Sequence, residues 1–166
     1  MTRWARRARL GLVVATLGVV GCAPTPVELD VRFPSEQSFL LSDRGRLLVY
    51  PVDPDTGLGR CPELVEAAAS GEYGQPEFDS GQTPICRFRD PGVGFDSVTG
   101  GPHAYVVVAL RDEPQATLLV GCRIAEAYID APSVAVTLFP TRMYDGAVGG
   151  MMSGCTLESK CNGSCQ

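Results

Sequence analysis

The 166-residue chain is 45% hydrophobic and 20% charged, with 14 basic and 19 acidic residues and a formal net charge of −5. This is the composition of a globular domain rather than a disordered segment, its length suffices for one sizeable core, and no period of solenoid length recurs. The acidic balance argues against nucleic acid as a partner, because phosphate recognition requires a basic surface.

Arg3, Arg6, Arg7 and Arg9 open the chain, and no acidic residue occurs before Glu28. An apolar run from Leu10 to Val20 follows. A basic start and a short apolar run are the pattern of an export signal, and the run falls short of the ~20 residues that span a bilayer. It closes on Val19-Val20-Gly21-Cys22. This resembles the lipobox of bacterial lipoproteins: a branched apolar residue, a tolerant position, a small residue, then cysteine. Leu is usual at the first position, so Val19 departs mildly from it. The resemblance implies that residues 1–21 are a lipoprotein signal peptide, that the Cys22 thiol carries a diacylglyceryl group, and that the amine freed by cleavage takes a further acyl chain such as palmitate. It also implies a place in the bacterial cell envelope. In the enteric sorting rule an Asp after the lipidated cysteine retains the protein at the inner membrane; Ala23 stands there, which points to the outer membrane. The competing reading is an ordinary secretory signal, where Gly21 and Ala23 satisfy the small-residue rule but Pro24 would obstruct the cut.

Four of the 14 basic residues and none of the 19 acidic ones precede Cys22, so without residues 1–21 the charge is −9. Residues 22–26 make a short lipidated tether, and two of its residues, Pro24 and Pro26, are proline. Residues 27–139 then read as one domain. Val27, Leu29, Val31 and Phe33 alternate on one face of a half-buried strand. Residues 34–45 read as a turn-rich connection carrying Phe39, Leu40 and Leu41 inward. Arg46–Val52 is a second strand, with Pro51 marking an edge or an end. Asp53–Arg60 is a loop. Pro62 in a first turn, Glu63 and Glu66 near its positive end and Gly71 as a stop predict one helix over 62–70. Residues 71–82 form a polar loop, 83–90 a strand and 93–98 a further one. His103–Leu110 is apolar on both faces and therefore central. Ala116–Ile124 pairs back on it as a hairpin, and Val134–Phe139 alternates again.

Seven or eight short strands with one helix predict a mainly β fold, a single antiparallel β-sandwich. At the level of pattern, "VELDVRF", "RLLVY", "PHAYVVVAL…LLVGC" and "VAVTLF" are similar to the transthyretin-like or immunoglobulin-like sandwiches of exported bacterial lipoproteins. The resemblance implies an interaction, spacer or accessory module, although fold does not determine function.

With Cys22 assigned to the anchor, Cys61, Cys86, Cys122, Cys155, Cys161 and Cys165 remain, and an even number in an exported protein predicts three disulfides. Three lie in the body and three in the Gly/Cys-rich tail, residues 140–166. Three is odd, so all 15 connectivities contain at least one bridge from tail to body. Local pairing favours Cys61 with Cys86, and Cys61 with Cys122 is nearly as plausible. The C-x5-C-x3-C tail lacks the C-x2-C pair of most zinc sites, so no metal is expected there.

His103 is the only histidine, and no G-x-S-x-G elbow accompanies it, so it reads as a strand-end residue before it reads as a base. Asp55-Thr56-Gly57 lacks the second aspartate loop of an aspartic protease. Asp53 and Asp55 leave a weak calcium site open, but Gly57 and Leu64 occupy the wrong positions for an EF-hand and the simpler reading is a turn. Asn162-Gly163-Ser164 is a formal glycosylation sequon that reads as a turn between Cys161 and Cys165. Trp4 lies in the signal, so the remaining chain has no tryptophan, which weakens a carbohydrate-binding reading. No catalytic residue and no cofactor are expected. The expected function is a membrane-anchored binding or structural module with a membrane-proximal envelope protein as partner; a small envelope hydrolase, an accessory enzyme subunit and a disulfide-stapled inhibitor are the alternatives.

Overall fold

The computed structural model describes residues 27–57, 59–89, 93–95, 101–127, 133–148 and 154–165. Residues 1–26, which carry the expected signal peptide, Cys22 and tether, therefore lie outside the described residues, as does the 96–98 part of the predicted strand over 93–98. The chain is mainly β. Strands β1 (Val27–Arg32), β2 (Arg44–Pro51), β3 (Phe78–Asp79), β4 (Thr83–Pro84), β5 (Val93–Phe95), β6 (Gly101–Arg111), β7 (Ala116–Ala127), β8 (Val134–Thr137) and β9 (Phe139–Pro140) form two sheets. The larger runs β3-β2-β6-β7-β9, with β4 also on the outer side of β2, and all its pairings are antiparallel. The smaller runs β5-β1-β8.

The β6 sequence explains why this strand is central. Tyr105, Val107 and Ala109 point to one face of the large sheet, and Ala104, Val106, Val108 and Leu110 to the other; all seven are buried. The first face packs on Leu29 of β1 and on Val134 and Val136 of β8, which closes the sandwich. The second face is covered by helix α2 (Cys61–Ala69) through Leu64 and Ala68. The molecule thus has three layers: helix, large sheet, small sheet. Pro62 opens α2, and Gly71 closes it with φ +80°, its N–H bonding to Ala68 O while Glu72 N–H bonds to Ala67 O. That left-handed cap is the reason for the glycine.

β8 pairs with β1, and after Leu138 the chain crosses to β7 as β9. The crossing is tight: a Cβ on Gly121 of β7 would run into the Thr137 carbonyl.

The expected antiparallel sandwich is corrected at one pair, because β1 and β8 run parallel from Leu29↔Val134 to Arg32↔Thr137. Parallel neighbours need a long crossover, and here most of the large sheet supplies it. The connection over 34–45 contains a helix, α1 (Glu36–Leu41), opened by a reciprocal capping box between Ser35 and Ser38. Ser stands where Glu or Gln usually signals that motif, which hid it. The strand expected over 83–90 stops after two residues and becomes a 3-10 turn (Ile85–Phe88) that buries Ile85 and Phe88, three apart. That spacing is the 3-10 period rather than the strand period. The polar loop over 71–82 contains β3, and the tail carries two short helices, α3 (Tyr144–Ala147) and α4 (Leu157–Cys161), so there is more than one helix. No described helix is long and apolar enough to cross a membrane.

Candidate binding groove

The six cysteines of body and tail pair as Cys61–Cys122, Cys86–Cys161 and Cys155–Cys165. The parity argument is met by one bridge, Cys86–Cys161, which staples the tail to the body. The local preference for Cys61 with Cys86 is corrected. Cys61 opens α2 on one face of the large sheet and meets Cys122 of β7, which it covers, whereas Cys86 sits in the 3-10 turn against the other core. A layer of sheet separates the two, and distance along the chain does not register it.

His103 is 2% exposed at the start of β6. Its Nδ1 lies 2.8 Å from the Gly101 carbonyl and its Nε2 lies 3.1 Å from Glu77 Oε2. Both ring nitrogens are therefore engaged: Nδ1 within β6 itself, and Nε2 with Glu77, which ties the loop that precedes β3 to the central strand. Tyr105, two residues on, has a buried hydroxyl with no hydrogen-bond partner, and burial, with the Glu77 charge adding to it, pushes its pKa up to about 12. Asp53 accepts a hydrogen bond from the Asp55 N–H at 2.8 Å, and Gly57 N–H bonds back to Asp53 O, so this segment is a turn built on the Asp53 side chain. Among the described residues no three His, Cys, Asp or Glu side chains gather as a metal site. Asn162 ends α4, and its side-chain oxygen accepts from Ser164 N–H, which makes the sequon a turn.

On the outer side of β2, the Arg46 guanidinium binds both carboxylate oxygens of Asp79 and lies 4.2 Å from the centre of the Tyr73 ring. The hydrogen bond from Arg46 holds the Asp79 carboxyl below the usual carboxylate range, and the same bond raises the pKa of Arg46. This cluster fastens the edge of the sheet.

The concave feature that sequence reasoning missed lies where α1, the 3-10 turn and the tail meet. A groove of about 250 Å³ is lined by Phe33, Ser35, Glu36, Phe39, Arg89 and Leu157. Phe39 is buried, and the Phe33 ring stands edge-on to it at 5.0 Å. Arg89 caps the turn that carries Cys86, and Leu157 lies one helical turn before Cys161 on α4, so the Cys86–Cys161 bridge joins the two elements that bring these side chains to the groove. Lys160 adds to the staple, its Nζ donating to the Leu40 carbonyl at 2.7 Å and lying 3.4 Å from Asp43. The only hints in the sequence were Phe39 and the tail-to-body bridge; nothing in it placed Leu157 beside them. Comparison of the chain with known protein families, with curated proteins and with solved structures finds no match.

Proposed function

We propose that the chain is a lipid-anchored, non-enzymatic binding module of the bacterial cell envelope, held at the outer membrane through Cys22 and presenting the groove to a membrane-proximal protein. The observation that carries this reading is the pairing of every other cysteine. Three disulfides call for an oxidising compartment, and they leave Cys22, at the end of an export signal, as the one spare thiol. Three acyl chains on one residue make desorption slow, since each buried methylene adds ~0.8 kcal/mol. Further support for binding over catalysis comes from the single histidine, which is buried with both nitrogens engaged, and from a shallow groove built on Phe33, Phe39 and Leu157. The tail is held on α1 by Lys160 and on the 3-10 turn by the Cys86–Cys161 bridge, an arrangement that suits a wall of the groove better than an inhibitory loop inserted into a protease.

Phase partitioning in a cloud-point detergent tests the anchor. The parent chain is expected in the detergent phase, and Cys22→Ser in the aqueous phase or as an unprocessed precursor. A Cys22→Ser protein that matures and partitions like the parent would remove the lipoprotein reading.

A further inference from the structure

The groove combines three features: an aromatic floor, opposite charges at its rim, and a wall that belongs to the tail. We propose that it is a docking site for a short extended segment of a partner protein, with one apolar side chain seated on Phe39 and charged side chains on its two flanks engaging Glu36 and Arg89, and that it exists only while the Cys86–Cys161 bridge holds Leu157 in place. The proposal rests on the reading of this chain as a binding module and names the chemistry of what it binds.

The occupant follows from size and charge. Small-molecule sites run from ~300 to 1,000 Å³ and enclose most of their ligand. This groove, at about 250 Å³, is smaller and open, with room for one or two apolar side chains. A few side chains seated in well-packed pockets, aromatic ones foremost, carry most of the binding energy of an interface. Glu36 and Arg89 are both exposed, and neither has an ion-pair partner among the described residues. An anionic acyl lipid would satisfy Arg89 and be repelled by Glu36. A second copy of the chain brings another −9 of charge, which opposes close approach. A polypeptide readily carries a basic and an acidic residue around an apolar one, and so matches both rim charges at once.

The dependence on the bridge follows from the placement of its ends. Cys86 and Arg89 are the second and capping residues of one short turn, and Leu157 and Cys161 occupy the same face of α4. None of the α4 residues is buried, and among the described residues only the Lys160 contacts with the Leu40 carbonyl and Asp43 and the packing of Leu157 against the main core hold it besides the bridge. Breaking the bridge frees the Leu157 wall while leaving the two cores intact.

The test uses the mature chain in lipid nanodiscs, or as a soluble exported protein if phase partitioning removes the anchor, so the two readings fail separately. Random heptapeptides displayed on phage are selected against it, and the selected sequences are measured as synthetic peptides by fluorescence anisotropy. The expected consensus is an aromatic residue or Leu with Lys or Arg on one side and Asp or Glu on the other. Leu157→Asp and Arg89→Glu are each expected to weaken binding at least tenfold, and exchanging the acidic residue of the peptide for Lys is expected to restore binding to Arg89→Glu. The Cys86→Ser, Cys161→Ser double variant is expected to lose binding while its far-ultraviolet dichroism stays that of the parent. Selection of no consensus, a consensus without charged flanks, or undiminished binding to Leu157→Asp and Arg89→Glu would overturn the docking site. Competition by phosphatidylethanolamine–phosphatidylglycerol vesicles would make it a lipid site, and peptide-sensitive dimerisation would make it a self-association site. Parent-like binding by the double cysteine variant would overturn the dependence on the bridge.

Discussion

The Tyr105 hydroxyl is buried in the main core with no partner, and the cost of such a group is about 1–3 kcal/mol. Tyr105→Phe keeps the ring and removes the orphan, so it is expected to stabilise the protein by about 1 kcal/mol, read as an upward shift of a few degrees in Tm. A lowered Tm would show that the hydroxyl has a partner after all. Arg46 makes the opposite case. Its carboxylate pair and its Tyr73 contact are both only partly shielded from solvent, so Arg46→Ala is expected to cost about 1 kcal/mol in urea unfolding. The sign with pH follows from the lowered pKa of Asp79: its contribution is present above the ordinary carboxylate pKa, near 4, and is lost as pH falls below that value. The stability gap between Arg46→Ala and the parent should therefore narrow as pH falls from the ordinary carboxylate value through the lowered pKa of Asp79, leaving the Tyr73 contact as the remainder. Of these residues, only His103 stood out in the sequence, as the lone histidine opening a strand. Its Glu77 partner is 26 residues away, and nothing local announces it.

Elements whose burial follows a period were legible. β6 reads as central from its run of β-branched residues, α2 from Pro62 and Gly71, and the β6–β7 hairpin from adjacency. Elements fixed by a single cap or by a contact distant in sequence were not. α1 depends on Ser35 and Ser38, and the 3-10 turn on where Ile85 and Phe88 find core. The parallel β1·β8 pair was beyond reach for a different reason, since alternation assigns faces but not neighbours. Gly121 shows how closely β8 passes over β7. Gly121→Ala sets a methyl group against the Thr137 backbone, which cannot rotate aside as a side chain can. The expected cost is roughly 1–3 kcal/mol, seen as a lowered urea midpoint with an unchanged slope. The bridges should rank by the length of chain they close. Loss of Cys86–Cys161, separation 75, is expected to cost about 4 kcal/mol in the chain-entropy account, and loss of Cys155–Cys165, separation 10, about 3. The reverse order would mean that strain relief or residual structure outweighs loop closure.

At the scale of the whole molecule, the two apolar cores lie on opposite faces of the large sheet, and the tail staple and the groove lie on the side of the main core. β1 begins at Val27, directly after the tether, and its six residues span about 20 Å before Phe33 reaches the groove. In the proposed lipid-anchored arrangement, lipoproteins and barrel proteins of the same membrane would lie within reach of the groove, and the −9 charge would disfavour contact with anionic lipid. The central claim is that one chain carries both modifications: an acylated Cys22 and three disulfides. Intact-mass spectrometry of the protein purified from its own envelope tests both together. The account predicts a chain that begins at Cys22, is heavier by a diacylglyceryl and one further acyl group, and is lighter by the six hydrogens of three disulfides. A mass that includes residues 1–21, lacks the lipid, or retains hydrogens on any of the six paired cysteines would contradict it.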